Sequence, residues 1–216
     1  MPDTPKTLSL KSETAGLLLW AYLLLGLTVA ALFLILSLVQ QVAPEVYHSI
    51  EVLHGLVALA TLPMLVIAVI LFLVWIYLVH RDFKTLFKSY SVGPGEALAQ
   101  LMIPLYNIYG IWNVFATIAD KLKLQGGKLA EEGSALKFWL PLLYAVGIAT
   151  RIVDRVLAMQ ERFNAQADLS TMTLISLGLE VLLWVIWLAM VQAIRKAIRY
   201  KFAEAQAQAA EKVAEN

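Results

Sequence analysis

The sequence predicts an all-α integral membrane protein with four transmembrane helices plus one interfacial or re-entrant helix. Composition is the first reason: of 216 residues, 60% are hydrophobic and 15% charged, and mean hydropathy is +0.73. Soluble domains carry about 25% charge, and a soluble fold of this size has too little interior to hide so much apolar surface. The second reason is patterning. Residues 14–43, 52–80 and 97–119 contain no Asp, Glu, Lys or Arg, and each stretch exceeds the roughly 20 residues that span a bilayer core as a helix. The third is the distribution of Lys and Arg, taken up after the spans. A secreted domain, a cytosolic enzyme and a nucleic-acid binder are excluded on these grounds. The net charge of +1 implies no global electrostatic partner. The absence of Cys rules out disulfides, iron–sulfur clusters on thiolates and cysteine nucleophiles.

The first span covers 16–39. Its apolar run continues through Leu32-Phe33-Leu34-Ile35-Leu36, well past the 7–15 residues of a secretory signal core, so it reads as an uncleaved anchor. The second covers 55–79 and ends at His80-Arg81. Pro63 inside it predicts a kink, because proline frees the carbonyl four residues back. A later span covers 138–158 and meets Arg151, Asp154 and Arg155; the last covers 171–194 and is interrupted by Glu180. Small residues Gly26, Ala30, Ala31, Gly147 and Ala149 allow close helix contact. The segment 97–119 is long enough to cross but holds Gln100, Pro104, Asn107, Gly110, Asn113 and Thr117. Its amides fall mostly on one helical side, which suits a helix lying in the interface or a broken re-entrant segment.

Charge counting decides between five spans and four, because cytoplasmic flanks carry excess Lys and Arg. With five spans the two sides hold eight and nine basic residues, which shows no bias. If 97–119 returns to its own side, the counts become 14 and 3. The expectation is therefore one transmembrane helical domain over 1–216, with both termini cytoplasmic and 97–119 not crossing. Gly93-Pro94-Gly95 opens that segment and Gly126-Gly127 marks the turn after it. The tail 195–216 continues the last span as a helix. Its start, from Arg195 through Lys201, is basic and amphipathic, which suits positive-inside flanking or contact with anionic headgroups.

His80-Arg81-Asp82-Phe83-Lys84-Thr85-Leu86, the Gly93-Pro94-Gly95 turn, and Ile103-Pro104-Leu105-Tyr106-Asn107-Ile108-Tyr109-Gly110-Ile111-Trp112 together resemble a bacterial multi-pass membrane family known only as a domain of unknown function. Its marks are a basic helix end, a proline-containing turn and an aromatic Pro-x-x-Asn segment. The resemblance runs roughly over 55–201. It implies a four-span bacterial membrane protein and no reaction; the localisation expected is the bacterial inner membrane.

Three constellations are candidates for function. Arg151, Asp154, Arg155 and Glu180 come first. Ionisable groups at membrane depth are costly unless paired or hydrated. Arg151 and Glu180 fall at comparable depths, roughly 9 and 12 Å below the outer surface. An Arg151–Glu180 pair extended by Asp154 would be either a pocket for an anion, headgroup or proton, or a structural tie with Arg155 snorkelling. Gln100, Pro104, Asn107 and Asn113 come second: an unwound backbone with nearby amides can line a polar site. The structural alternative is an amphipathic helix with its amides in water and Tyr106, Tyr109 and Trp112 at headgroup level. Third, Glu45, His48, Glu51 and His54 recur every three residues. Of these, His48, Glu51 and His54 are weak metal candidates; no metal or other cofactor is expected.

No phosphate loop and no triad spacing is present, so the chain is expected not to be an enzyme. The leading expectation is a non-enzymatic accessory or scaffold subunit of a membrane complex. Its partners would be the lipid bilayer and either another membrane protein or a second copy of itself, with no nucleic acid. The alternative is a small transporter or channel, using the Asn107 segment and the Arg151–Glu180 pair.

Overall fold

The computed structural model describes residues 5–87, 90–103, 107–163 and 170–214, and all regular structure among them is helical. The helices are α1 (Pro5–Val42), α2 (Pro44–Tyr47), α3 (Glu51–Leu86), α4 (Pro94–Met102), α5 (Asn107–Lys123), α6 (Gly127–Phe163) and α7 (Ser170–Ala214). Four of them are long and apolar enough to cross a membrane, over Lys11–Val42, Glu51–Leu86, Gly127–Gln160 and Ser170–Gln208. Each contains one expected span. All are longer than the roughly 20 residues needed, because the polar flanks continue the helix: α6 begins eleven residues before 138, and α7 carries the tail to Ala214. The helix α3 runs unbroken through Pro63.

The segment 97–119 is two helices, not one, and neither is among those long and apolar enough to cross. The helix α4 starts with Pro94 in its first turn, where proline's missing N–H costs nothing. The Gly93 N–H donates to the Glu96 carboxylate at 3.2 Å, closing that end. The helix stops at Ile103, whose backbone is extended at φ −77° and ψ 116°. The residue before a proline is pushed out of the helical region in this way, and Pro104 follows. Between α5 and α6 the chain turns at Gly126 and Gly127, with φ +75° and +53°. Side-chain-bearing residues rarely adopt these angles.

Contacts divide the chain into two compact units, and each long helix contributes residues to both. Unit 1 is 1–21, 69–140 and 189–216; unit 2 is 22–68 and 141–188. Unit 1 holds the packed core: Leu19, Trp75, Phe83, Phe115, Ile118 and Ile194 are fully enclosed. The helix α5 supplies Val114, Phe115, Ile118, Ala119 and Leu122 to that core, one stripe at helical spacing. Unit 1 also contains every Lys and Arg of the chain except Arg151, Arg155 and Arg162. In unit 2, α3 exposes Leu53, Leu56, Leu59, Leu62, Leu65 and Val66.

Candidate functional site

In unit 1 the polar chemistry gathers where α1, α3 and α7 meet. The fully buried His80 ring shares a 2.8 Å hydrogen bond between Nδ1 and the hydroxyl of Tyr90, which ties the chain leaving α3 back onto that helix. Burial, with the charge of Glu96 nearby, pushes the Tyr90 phenol up. It therefore stays protonated throughout the physiological range. Two residues on, the Asp82 carboxylate takes hydrogen bonds from Ser12 of α1 and meets Arg81 at 3.5 Å. Arg195 of α7 is nearly enclosed. One terminal nitrogen donates to Gln192 Oε1 at 2.9 Å, and the guanidinium carbon lies 5.8 Å from the centroid of the Trp20 ring, a cation–π distance. A turn later Arg199 pairs with Glu13 at 3.2 Å.

Gly16 permits this convergence. A Cβ there would lie 2.7 Å from Trp75 Nε1 and 3.0 Å from Arg195 Cγ. Trp75 Nε1, His80 Nε2, Asp82 Oδ2 and Arg195 Nε have no hydrogen bond among the described residues. Sequence reasoning missed this cluster because His80, Arg81 and Arg195 sit at span ends, where charge reads as flanking. The usable signal was a histidine and an aspartate two apart, with an aromatic Tyr90 just beyond.

The hairpin of α4 and α5 also belongs to unit 1. Gln100 is buried, and Asn113 Nδ2 donates to its Oε1 at 2.9 Å. Gln100 in turn reaches Glu96 at 3.4 Å. The return of α5 onto α4 thus pairs these two amides with each other, with Gln100 buried and Asn113 half-buried. Pro104 lies outside the described residues, as does the side chain of Asn107. Tyr109 and Trp112 are exposed, while Tyr106 falls outside the described residues. Beyond the hairpin, Asp120 of α5 pairs with Lys137 of α6.

Unit 2 holds the membrane-span carboxylate, Glu180. Arg151 and Glu180 do not form the expected ion pair: Arg151 is exposed, and Glu180 instead takes a hydrogen bond from Trp184, one turn along α7. Asp154 accepts from Ser176 Oγ at 2.5 Å, and its charge bears on Glu180. Arg155 is exposed. The physical reason lies in the side chain: a guanidinium on a long stem reaches polar surroundings at less cost than it can be buried. Glu180 and Trp184 line a cavity of about 210 Å³ together with Gly26, Thr61, Leu62 and Leu65. Gly26 admits the Trp184 ring: a Cβ at 26 would stand 2.4 Å from Cζ3.

The third constellation, also in unit 2, is built differently from a metal site. His54 shares hydrogen bonds through Nδ1 with the Tyr47 hydroxyl at 2.7 Å and through Nε2 with Ser37 Oγ at 3.3 Å. The Phe33 ring lies tilted against it, with centroids 4.7 Å apart. Both ring nitrogens are engaged. No group of three or more His, Cys, Asp or Glu placed to hold a metal exists among the described residues, so His48, Glu51 and His54 do not converge as ligands.

Among known proteins, no curated sequence and no solved structure matches the chain. A family model described as a domain of unknown function (DUF4328) matches residues 39–196.

Proposed function

Because this chain belongs to the DUF4328 family, whose description assigns no reaction, we propose from its own surfaces that it is a non-enzymatic accessory subunit of a membrane complex, packing against another membrane protein or a second copy of itself. The observation that carries this reading is the openness of α3. Only 11% of its most apolar window is buried within the chain, against 28% for α1 and 22% for α6 and α7. Gly55, Gly147 and Gly178, all in unit 2, have nothing within 4 Å of where a Cβ would stand. Open small residues in a span are what a neighbouring helix needs to approach closely. The distribution of basic residues in unit 1 supports both termini lying on the cytoplasmic side of a bacterial inner membrane.

The test is isolation of the full chain in native lipid nanodiscs, followed by native mass spectrometry. A stoichiometric partner or dimer is expected, and Gly55→Leu is expected to remove it while leaving the thermal stability of the chain itself unchanged. A chain that runs alone overturns the reading.

A further inference from the structure

We propose that the cavity at Glu180 is a binding site for a small organic cation, an ammonium ion bearing short apolar substituents. The cavity combines one carboxylate, one indole and an otherwise largely apolar wall that includes Leu62 and Leu65. Glu180 lies inside the last membrane span and forms no ion pair with Lys or Arg among the described residues. Among the described residues, it takes a hydrogen bond from Trp184. Asp154, held by Ser176 at 2.5 Å, adds a second negative charge close enough to act on Glu180. The local potential therefore favours a cation and repels an anion.

The wall chemistry selects which cation. A hard metal ion takes six or more oxygens. This lining supplies the Glu180 carboxylate and the hydroxyl of Thr61, which already donates to the Ala58 carbonyl at 2.6 Å. That is too few. An alkylammonium needs a carboxylate for its charge, an aromatic face for its cationic head and apolar surface for its substituents. The lining holds a carboxylate, an indole and apolar surface, and the Trp184 ring is lodged where Gly26 leaves room for it. A cavity of about 210 Å³ falls below the roughly 300–1,000 Å³ of drug-sized sites, which limits the ligand to a small ion.

The experiment is isothermal titration of the full chain in nanodiscs with tetraethylammonium, and with tert-butanol as an uncharged control. Saturable binding of tetraethylammonium and none of tert-butanol is expected. Glu180→Gln is expected to weaken binding by about tenfold or more, and Leu65→Trp, which fills the cavity while keeping the carboxylate, is expected to abolish it. Arg151→Gln, a change at an exposed residue, should bind as the parent does. The proposal is overturned if the parent shows no saturable binding, if tert-butanol binds equally, or if a folded Glu180→Gln binds within about twofold of the parent. Should Glu180→Gln fail to fold, Leu65→Trp decides, and undiminished binding there sinks the proposal.

Discussion

Gly110 of α5 stands against the main-chain carbonyl of Gln100 in α4 so closely that a Cβ at position 110 would lie 2.0 Å from the oxygen. The hairpin is therefore closed by backbone-to-backbone approach, and the Asn113–Gln100 amide bond at 2.9 Å lies one turn further on. Gly110→Ala is expected to destabilise the protein by about 1–3 kcal/mol, the usual cost of forcing atoms into a packed contact. Thermal unfolding in detergent checks this, and an unchanged midpoint would contradict the close approach.

Tyr90→Phe removes the hydroxyl that serves buried His80 and changes nothing else in shape. Leaving a buried polar group without its partner costs about 1–3 kcal/mol. A lowered unfolding midpoint is expected. Limited proteolysis should also cut faster between α3 and α4, since the hydroxyl ties that connection to α3.

Arg151→Gln is expected to change stability by no more than about 0.5 kcal/mol, as exposed substitutions do. In a double-mutant cycle with Glu180→Gln, the coupling should be near zero. A coupling above about 1 kcal/mol would restore the ion pair that the geometry does not contain.

Gly26→Leu is expected to be among the most damaging single changes in unit 2, because its side chain would need the space of the Trp184 ring. A loss of about 1–3 kcal/mol follows from overpacking. Trp184→Ala in the same chain should recover part of it, which a thermal-shift comparison of the two variants reads directly.

Topology has a clean assay because the chain has no native thiol. Gln125 is exposed beside the turn at Gly126. Gln125→Cys is expected to label with an impermeant maleimide only from the cytoplasmic side in inverted vesicles. Labelling from the opposite face would place the termini outside.

The four apolar runs were legible because hydropathy is a one-dimensional signal and the bilayer sets its length scale; the helix ends were not, because polar flanks continue the helices past the apolar runs. The stretch 97–119 stood apart from the four spans already in its amides and its proline, and neither helix it forms is among those long and apolar enough to cross. Its division into α4 and α5 follows from the local effect of Pro104 on Ile103. The candidate sites were less legible. Glu180 stood out as a lone charge in an apolar run, yet its neighbours Trp184 and Gly26 carry no sequence signal that links them to it. His80, Asp82 and Arg195 were hidden because charge at a span end is ordinary.

By itself, then, the amino-acid order determined the class, the four long apolar helices and the uneven placement of Lys and Arg, all of which depend on running composition. Tertiary structure alone decided which polar groups meet across elements: His80 with Tyr90, Gln100 with Asn113, and Asp154 of α6 with Ser176 of α7, while Arg151 and Glu180 stay apart. Successive residues turn by about 100° and rise about 1.5 Å along a helix. The partner of a side chain therefore depends on the relative rotation and register of two helices, which packing sets and no single stretch of sequence records.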